Sequence, residues 1–239
     1  MGQKKLKRFA ELATFPNVLQ YPSDMAGNWK GFFGNDNPLV LELACGKGEY
    51  AVGLGRRHPE KNFIGMDVKG NRLWVGARQA LAEKLQNVGF LRSQIGMITG
   101  HFAQKEVSEI WITFPDPHLR ASRASKRLTH PEFLRRFQQI MVEGGYIHLK
   151  TDSPDLYLFT KKVIEMFGLP LWEDVPDVGM LSNMPPELAI KTHYEGLDIS
   201  GSRRIHYLRF GLTEVSLQGR DEELLEWTKA QPILAIERR

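Results

Sequence analysis

The sequence predicts an α/β fold, in which helices cover both faces of a mostly parallel, twisted sheet. From Pro38 onward, short apolar runs alternate with amphipathic stretches, as in parallel sheets whose strands are connected by helices. The first apolar run leads directly into a glycine-rich loop. Residues 202–212 alternate apolar and polar side chains, which indicates a late antiparallel strand. The predicted parallel strands cover residues 39–43, 62–67, 88–92, 109–114 and 145–151.

Five helices are predicted between and after these strands. Leu73, Ala77, Leu81 and Leu85 recur every four positions and so share one helical face. Pro131 suits the first turn of a helix, where a backbone amide is not needed. The predicted helices cover residues 48–57, 70–86, 131–142, 155–167 and 220–229.

The chain divides into an arm and one domain. Residues 1–37 are predicted to form an N-terminal arm that is basic at first and then rich in Pro, Asn and Gly. Residues 38–239 contain no repeat, no low-complexity tract and no clear linker. We therefore expect a single domain over residues 38–239.

Composition limits the class of protein. A length of 239 residues, with 42% hydrophobic and 25% charged residues, is ordinary for a soluble α/β domain. The single cysteine, Cys45, excludes an intramolecular disulfide and a multi-cysteine metal site, and the histidines show no metal-binding spacing. No signal peptide and no membrane span are evident. We expect a cytoplasmic protein without a metal, as a monomer or a homodimer.

The glycine-rich loop predicts a nucleotide-type cofactor. Gly46 and Gly48 follow the strand at 39–43 and allow a tight turn with close backbone approach to a ligand. Asp67 ends the next strand, 21 positions after Gly46. An acid about 20 residues beyond such a loop is where ribose hydroxyls are usually held. These residues predict an adenosine-type cofactor.

Glu42 bears on which cofactor this is. Gly46, Gly48 and Ala51 satisfy the dinucleotide fingerprint, so an NAD-type dehydrogenase is one interpretation. Glu42, four positions before Gly46, would repel a pyrophosphate if it lay near the loop. It would attract the cationic end of S-adenosylmethionine, by about 4 kcal/mol at ~4 Å and intermediate dielectric. The sequence therefore favours S-adenosylmethionine.

The stretch of residues 109–128 points to a polyanionic partner. An apolar run ends in Phe114-Pro115-Asp116-Pro117, and the two prolines stop the strand. Asp116 is thus expected at the carboxyl end of a strand, where open α/β sheets bind ligands. Basic residues follow at Arg120, Arg123, Lys126 and Arg127. A rigid acid beside cationic side chains suggests chemistry on a nucleic acid.

Taken together, these motifs resemble the bacterial tRNA (guanine-N7-)-methyltransferases over residues 39–196. The matching set comprises Glu42-x-x-x-Gly46-x-Gly48, Asn62-Phe63-Ile64-Gly65-x-Asp67, Phe114-Pro115-Asp116-Pro117, Gly144-Gly145, Thr151-Asp152 and Thr192-x-x-Glu195. The resemblance implies the class I S-adenosylmethionine-dependent methyltransferase (Rossmann-like) fold, S-adenosylmethionine as methyl donor, and N7 of a variable-loop guanine in tRNA as acceptor.

The resemblance also implies site residues. Carried over by position, the cofactor site comprises Glu42, Asp67, Gln94 and Asp116, together with the loop glycines Gly46 and Gly48. The substrate guanosine would be contacted by Arg120, Asp152, Thr192, His193, Tyr194 and Glu195. The chain departs from the family pattern at several positions: Ala44 replaces a glycine, Gln94 an acid, His118 a tryptophan and Arg120 a lysine, and Gly196-Leu197 stand where basic residues are usual.

Guanine N7 carries a free lone pair, so methyl transfer to it needs alignment rather than a base. We expect Asp116 to be the catalytic residue, accepting hydrogen bonds from the N1 and the exocyclic amine of the guanine. Glu195 and Asp152 are alternatives for that contact. Other functions remain open: a methyltransferase for another RNA position or a small molecule, the dehydrogenase, and a tRNA-binding module with a degraded cofactor site, which Gln94 motivates.

Overall fold

The computed structural model describes residues 2–197, 201, 204–212 and 216–234. In chain order, the strands are β1 Val18–Gln20, β2 Leu39–Leu43, β3 Asn62–Asp67, β4 Val88–Arg92, β5 Val107–Thr113, β6 Met141–Thr151, β7 Leu171–Val175 and β8 His206–Gly211. The α-helices are α1 Gly2–Leu12, α2 Trp29–Phe33, α3 Glu49–Arg57, α4 Gly70–Ala82, α5 Pro131–Ile140, α6 Pro154–Phe167 and α7 Asp221–Ala230.

These strands form one twisted sheet in the order β1-β4-β3-β2-β5-β6-β8-β7. All pairs from β1 to β6 are parallel, whereas β8 runs antiparallel to both β6 and β7. The predicted α/β class and the late antiparallel strand are confirmed. From β2 the chain builds outward to β3 on one side, and then to β5 on the other. The carboxyl ends of β2 and β5 thus flank the position where such sheets bind ligands.

Burial on both faces explains why the central strands read as continuous apolar runs. All five residues of β2 are buried, and Leu39, Leu41 and Leu43 pack into one hydrophobic cluster while Val40 packs into another on the opposite face. The two clusters fix the register of β2, since a slip of one residue would exchange the faces of every side chain.

Several elements differ from the sequence prediction. The strands β1 and β7 were not predicted: β1 has three residues and β7 is largely exposed, so neither has a strong apolar pattern. Through β1 and its pairing with β4, part of residues 1–37 joins the sheet. Helix α4 ends at Ala82 rather than residue 86, because Lys84 adopts φ 55° and Leu85 N donates to the Ala80 carbonyl.

Two further predictions, the start of the late strand and the absence of a membrane span, can be compared with the described residues only. Positions 202 and 203 of the predicted late strand lie outside the described residues, and β8 begins at His206. Within the described part of the chain, no helix is long and apolar enough to cross a membrane.

Candidate active site

A cavity of about 1020 Å³ lies at the carboxyl ends of the parallel strands. Loops that follow β2, β3, β4, β5 and β6 all contribute to its wall, as expected for a ligand site at the point where the strand order reverses. The residues predicted for the site that line it are Asp67, Gln94, Asp116, Asp152 and Tyr194.

The glycine loop after β2 has the geometry that requires glycine. Gly46 and Gly48 adopt φ values of 57° and 71°, and a Cβ on Gly48 would lie 2.4 Å from the Phe90 ring. Ala44 also has positive φ, at 55°, and lines the cavity. The resemblance implies a glycine at this position, and Ala44 adopts the same left-handed conformation at some energetic cost.

Asp67 ties the end of β3 to this loop. Its Oδ2 accepts a hydrogen bond from Gly46 N at 2.9 Å, and its Oδ1 accepts one from Lys69 N at 2.8 Å. The carboxylate is buried but lines the cavity. Each carboxylate oxygen retains a further lone pair, so the group remains able to accept from ligand hydroxyls.

Glu42 does not line the cavity. It is 3% exposed and lies beneath the glycine loop, where its carboxylate accepts from Ala51 N at 2.8 Å and from the Thr113 hydroxyl at 3.2 Å. Burial raises the pKa of Glu42 to about 8, and the nearby carboxylates of Glu49 and Asp67 act in the same direction. The geometry therefore does not support the predicted contact between a negatively charged Glu42 and the cationic end of the cofactor.

The Phe114–Pro117 loop presents Asp116 to the cavity. Phe114 and His118 adopt φ values of 48° and 42°, which turn the chain sharply after β5. Asp116 is exposed, and its Oδ1 accepts from His118 N at 3.1 Å. Bulky residues rarely adopt positive φ, and such strain is most often found at functional sites.

Arg127 holds the same loop from behind. This arginine is buried, and its guanidinium donates to the carbonyls of Pro117, His118 and Leu119 at 3.0, 3.1 and 3.3 Å. It also stacks over the Phe159 ring. The basic stretch was expected to face an RNA, but Arg127 does not, because it is buried and its Nε and Nη2 donate within the protein.

The remaining cations of that stretch are exposed. Arg120 directly precedes the 3₁₀ helix Ala121–Lys126, which contains Arg123 and Lys126 and follows the Asp116 loop in the chain. Arg120 lies next to the cavity in sequence, through Leu119, but does not line it. These three side chains therefore form a basic rim rather than part of the wall.

The Thr151-Asp152 element places one acid in the wall. Thr151 is buried, and its hydroxyl accepts from Ser153 N at 3.1 Å; the Ser153 hydroxyl in turn accepts from Leu156 N and begins α6. This turn leaves Asp152 at the cavity. Gln94 also lines the cavity and is exposed, immediately before the 3₁₀ helix Ile95–Gly100.

The Thr192-x-x-Glu195 element lies across the glycine loop. Glu195 N donates to the Thr192 hydroxyl at 3.1 Å, and His193 N donates to the Glu49 carboxylate at 3.2 Å. The Tyr194 ring lies against Gly46, 3.3 Å from where a Cβ would stand. Of the four predicted residues only Tyr194 lines the cavity; Thr192, His193 and Glu195 do not.

Sequence reasoning missed two cations in the wall. Lys69 and Arg72 follow Asp67 at the start of α4 and line the cavity, and the Arg72 guanidinium lies 5.4 Å from the centre of the Tyr194 ring. Both follow Asp67, the predicted ribose-binding acid, within five positions, and this closeness in sequence could have indicated that they lie at the cavity. Cations thus occur in the segments that follow both β3 and β5, and other residues of both segments line the cavity.

The cavity thus combines features for two kinds of ligand. Three carboxylates, those of Asp67, Asp116 and Asp152, line it and can bind hydroxyls or cationic groups. The surrounding cations suit a polyanion. Within the described residues no group of three or more His, Cys, Asp or Glu side chains could hold a metal ion.

Comparisons with known proteins agree with this arrangement. A family model described as "Putative methyltransferase" matches residues 36–206. The tRNA (guanine-N(7)-)-methyltransferase of Bacteroides fragilis (strain YCH46) is 46% identical over 223 residues, which cover 90% of this chain and 88% of that protein.

Solved structures show the same fold at low identity. The 16S rRNA methyltransferase KamB has a TM-score of 0.59 at 13% identity, covering 78% of this chain and 93% of that one. A mutant of the 16S rRNA (adenine(1408)-N(1))-methyltransferase from Catenulisporales acidiphilia, solved with its cosubstrate SAM, has a TM-score of 0.52 at 13% identity, covering 79% of this chain and 91% of that one. On sequence and fold together, the chain belongs to the tRNA (guanine-N7-)-methyltransferase family.

Proposed function

We propose that the protein transfers the methyl group of S-adenosylmethionine to N7 of a guanine in the variable loop of tRNA. The observation that carries the proposal is the shared cavity: Asp67, fixed to the glycine loop, and Asp116, on the loop after β5, line the same hollow. A cofactor held at Asp67 and a base held at Asp116 would thereby be adjacent. Such a substrate also supports the predicted cytoplasmic location.

The wall residues fit the methyl donor. Asp67 would accept from the ribose hydroxyls, while the Gln94 amide, which can both donate and accept, would bind the adenine edge. The carboxylates of Asp67, Asp116 and Asp152 would each favour a sulfonium or an ammonium placed beside them. Gly46 and Gly48, which do not line the cavity, would serve by keeping the loop in its tight turn. The bound donor supplies an activated methyl group.

We assign Glu42 an indirect part in this site. Its hydrogen bond to Ala51 N holds the first turn of α3 below the loop, so that Gly46 and Gly48 keep their conformation. That function requires an acceptor oxygen, and a negative charge is not needed for it. This support of the loop replaces the direct contact with the cofactor that the sequence predicted for Glu42.

The acceptor base needs orientation more than activation. Asp116 would accept from guanine N1 and the exocyclic amine, and its charge would favour the positive charge that develops on the methylated ring. Asp152 lies in the same wall and is the second candidate for that contact. Tyr194 offers a ring face at the glycine loop, on which a base could stack. Orienting N7, the methyl carbon and sulfur in line can contribute roughly 7–11 kcal/mol.

The basic rim would hold the RNA backbone. Arg120, Arg123 and Lys126 are exposed on one side of the cavity, and Lys69 and Arg72 lie in its wall. A guanine in a tRNA variable loop is engaged in tertiary pairing, so local opening of the RNA would accompany binding. Phosphate contacts on both sides of the cavity would stabilise the opened loop.

One experiment tests the reaction and the position together. Unmodified tRNA is incubated with the protein and methyl-labelled S-adenosylmethionine, and the product is treated with borohydride and aniline, which cleave the chain at N7-methylguanosine. We expect label in the tRNA and a single cleavage in the variable loop. Label without cleavage would indicate another atom as acceptor, and no label would refute the proposal.

A further inference from the structure

A buried ammonium lies between the motifs of the site. Lys150, in β6, has a fully buried side chain whose Nζ donates to the carbonyls of Leu188 and Ile190 at 2.8 and 3.1 Å and to Glu195 Oε2 at 2.9 Å. Three acceptors satisfy the three donors of the ammonium. Both side chains of the Lys150–Glu195 pair are removed from solvent, since that of Glu195 is 15% exposed.

Lys150 also touches the elements that bear the other motifs. Its Nζ lies 5.4 Å from the centre of the Tyr50 ring, in α3 after the glycine loop, and 5.5 Å from that of Phe114, just before Pro115-Asp116. The Lys150 carbonyl accepts from Phe114 N at 2.8 Å. Asp152 follows two positions later in the chain.

The segment that Lys150 holds, residues 188–195, has only a short 3₁₀ turn beginning at Glu195 as regular structure. It lies on the glycine-loop region through Ile190, which packs against Gly53, and through Tyr194, which packs against Gly46. No strand pairing satisfies the backbone carbonyls of this segment, and the ammonium of Lys150 binds two of them instead, those of Leu188 and Ile190.

We propose that Lys150 is a positioning residue, whose ion pair with Glu195 fixes the segment that presents Tyr194 to the cavity. Three observations support this. Glu195 does not line the cavity whereas Tyr194 does, and the carboxylate of Glu195 points to the ammonium. Burial lowers the pKa of Lys150 and Glu195 raises it, so the carboxylate helps to keep the ammonium charged. The inference rests on the proposed methyl transfer.

A double-mutant cycle separates anchoring from direct contact. Wild type, Lys150→Met, Glu195→Ala and the double variant are compared by kcat and KM for tRNA methylation. Activity is expressed per S-adenosylmethionine-binding site, counted by calorimetry, so that a lower folded fraction does not affect the result. Lys150→Arg, which keeps a cation, is included as the conservative variant, and Lys150→Gln in case Lys150→Met does not fold.

We expect Glu195→Ala to lower kcat per binding site by about tenfold or more in wild type, and by no more than about twofold in the Lys150→Met background. Lys150→Arg should retain more activity per site than Lys150→Met. If Lys150→Met does not fold, Lys150→Gln, which also removes the cation, takes its place in the cycle, with the loss from Glu195→Ala again expected to be smaller there than in wild type.

Equal losses from Glu195→Ala in both backgrounds would overturn the inference, because they would show that Glu195 acts on the substrate independently of Lys150. An unchanged activity per site in Lys150→Met would overturn it as well. A wild-type protein that does not methylate tRNA would instead refute the proposed function, so the two failures are distinguishable.

Lys61→Met is the matched control. Lys61 forms a half-buried ion pair with Glu109 at the opposite end of the parallel strands, beside a smaller cavity. Its removal should lower stability while leaving kcat per binding site within about twofold of wild type. A tenfold loss in this control would mean that breaking any lysine–glutamate pair impairs the site, and would contradict a specific role for Lys150.

Discussion

The carboxylate of Glu42 accepts a hydrogen bond from the backbone amide of Ala51 at 2.8 Å, across nine positions of the chain. This bond joins the middle of β2 to the first turn of α3 and so spans the glycine loop between them. Glu42 is buried, and Thr113 in the adjacent β5 is its second donor. Glu42 in β2 therefore supports the glycine loop by holding the helix that follows it.

The first prediction concerns stability and pH. Burial raises the pKa of Glu42 to about 8 in the folded protein, against an ordinary value of 4.5. The folded state therefore binds a proton that the unfolded state releases between these values, and stability falls as pH rises from about 4.5 to 8. Glu42→Gln keeps an acceptor for Ala51 N and removes this dependence.

Urea unfolding of wild type and Glu42→Gln at pH 5 and pH 8 checks this. The variant should gain a few kcal/mol relative to wild type between the two values, since one pKa unit corresponds to about 1.4 kcal/mol. Parallel pH dependences of the two proteins would show that Glu42 is ionised when folded, and would contradict the account.

The second prediction concerns Arg127. Arg127→Lys keeps the charge but loses the planar fork that reaches the carbonyls of Pro117, His118 and Leu119. Unsatisfied carbonyls and lost packing on Phe159 should cost about 1–3 kcal/mol. The Asp116 loop should loosen, which lowers kcat by about tenfold or more with little change in tRNA affinity, because Arg127 contacts no phosphate in this account.

Kinetics with Arg127→Lys, and a filter-binding titration with tRNA, measure both quantities. Arg123→Ala serves as the comparison, since Arg123 is exposed and should show the reverse pattern of weaker binding with near-normal kcat. Weaker tRNA binding in both variants, with kcat unchanged in both, would assign Arg127 to the RNA interface.

The third prediction concerns salt. If Arg123 and Lys126 neutralise phosphates, replacing either with alanine should reduce the slope of log affinity against log salt by about 0.7 to 0.9. Lys30→Ala is the control, because Lys30 pairs with Asp36 near the start of β2, at the far end of the sheet. A tRNA affinity indifferent to ionic strength, or a control that changes the slope as much, would be incompatible with a basic rim.

The fourth prediction concerns Asp116. Its side chain is 74% exposed, so Asp116→Ala should change the free energy of unfolding by no more than about 0.5 kcal/mol. Loss of the base-orienting carboxylate should lower kcat by on the order of 10² or more. Single-turnover methyl transfer and a thermal melt give the two values, and near-normal turnover would remove Asp116 from its assigned role.

An element of the fold can be predicted from the sequence when contacts between residues close in the chain determine it. The parallel strands β2 to β6, the glycine loop and the late antiparallel strand follow from local periodicity and from turn-forming residues, and the sequence predicts them. The exposed strand β7 carries Glu173 and Asp174 and depends on its pairing with β8, which no local pattern reveals. Tertiary contacts decide such elements.

The same limit applies to the site. The sequence indicates which motifs meet at the carboxyl ends of the strands, because parallel strands bring those ends together. It does not indicate which side chains face the cavity: Glu42 and Arg127 are charged residues turned inward, and Lys150 is a buried cation within an apolar strand. Their partners lie 8 to 71 positions away, as the contacts of Arg127 with Leu119 and of Glu42 with Thr113 show.

The most direct measurement is an electron-density map of crystals grown with S-adenosylmethionine. We expect ligand density in the cavity between Asp67 and Asp116, with the ribose hydroxyls within hydrogen-bond distance of the Asp67 carboxylate and with Ala51 N still donating to Glu42. Ligand density elsewhere, or a sulfonium in direct contact with a rearranged Glu42 carboxylate, would contradict it.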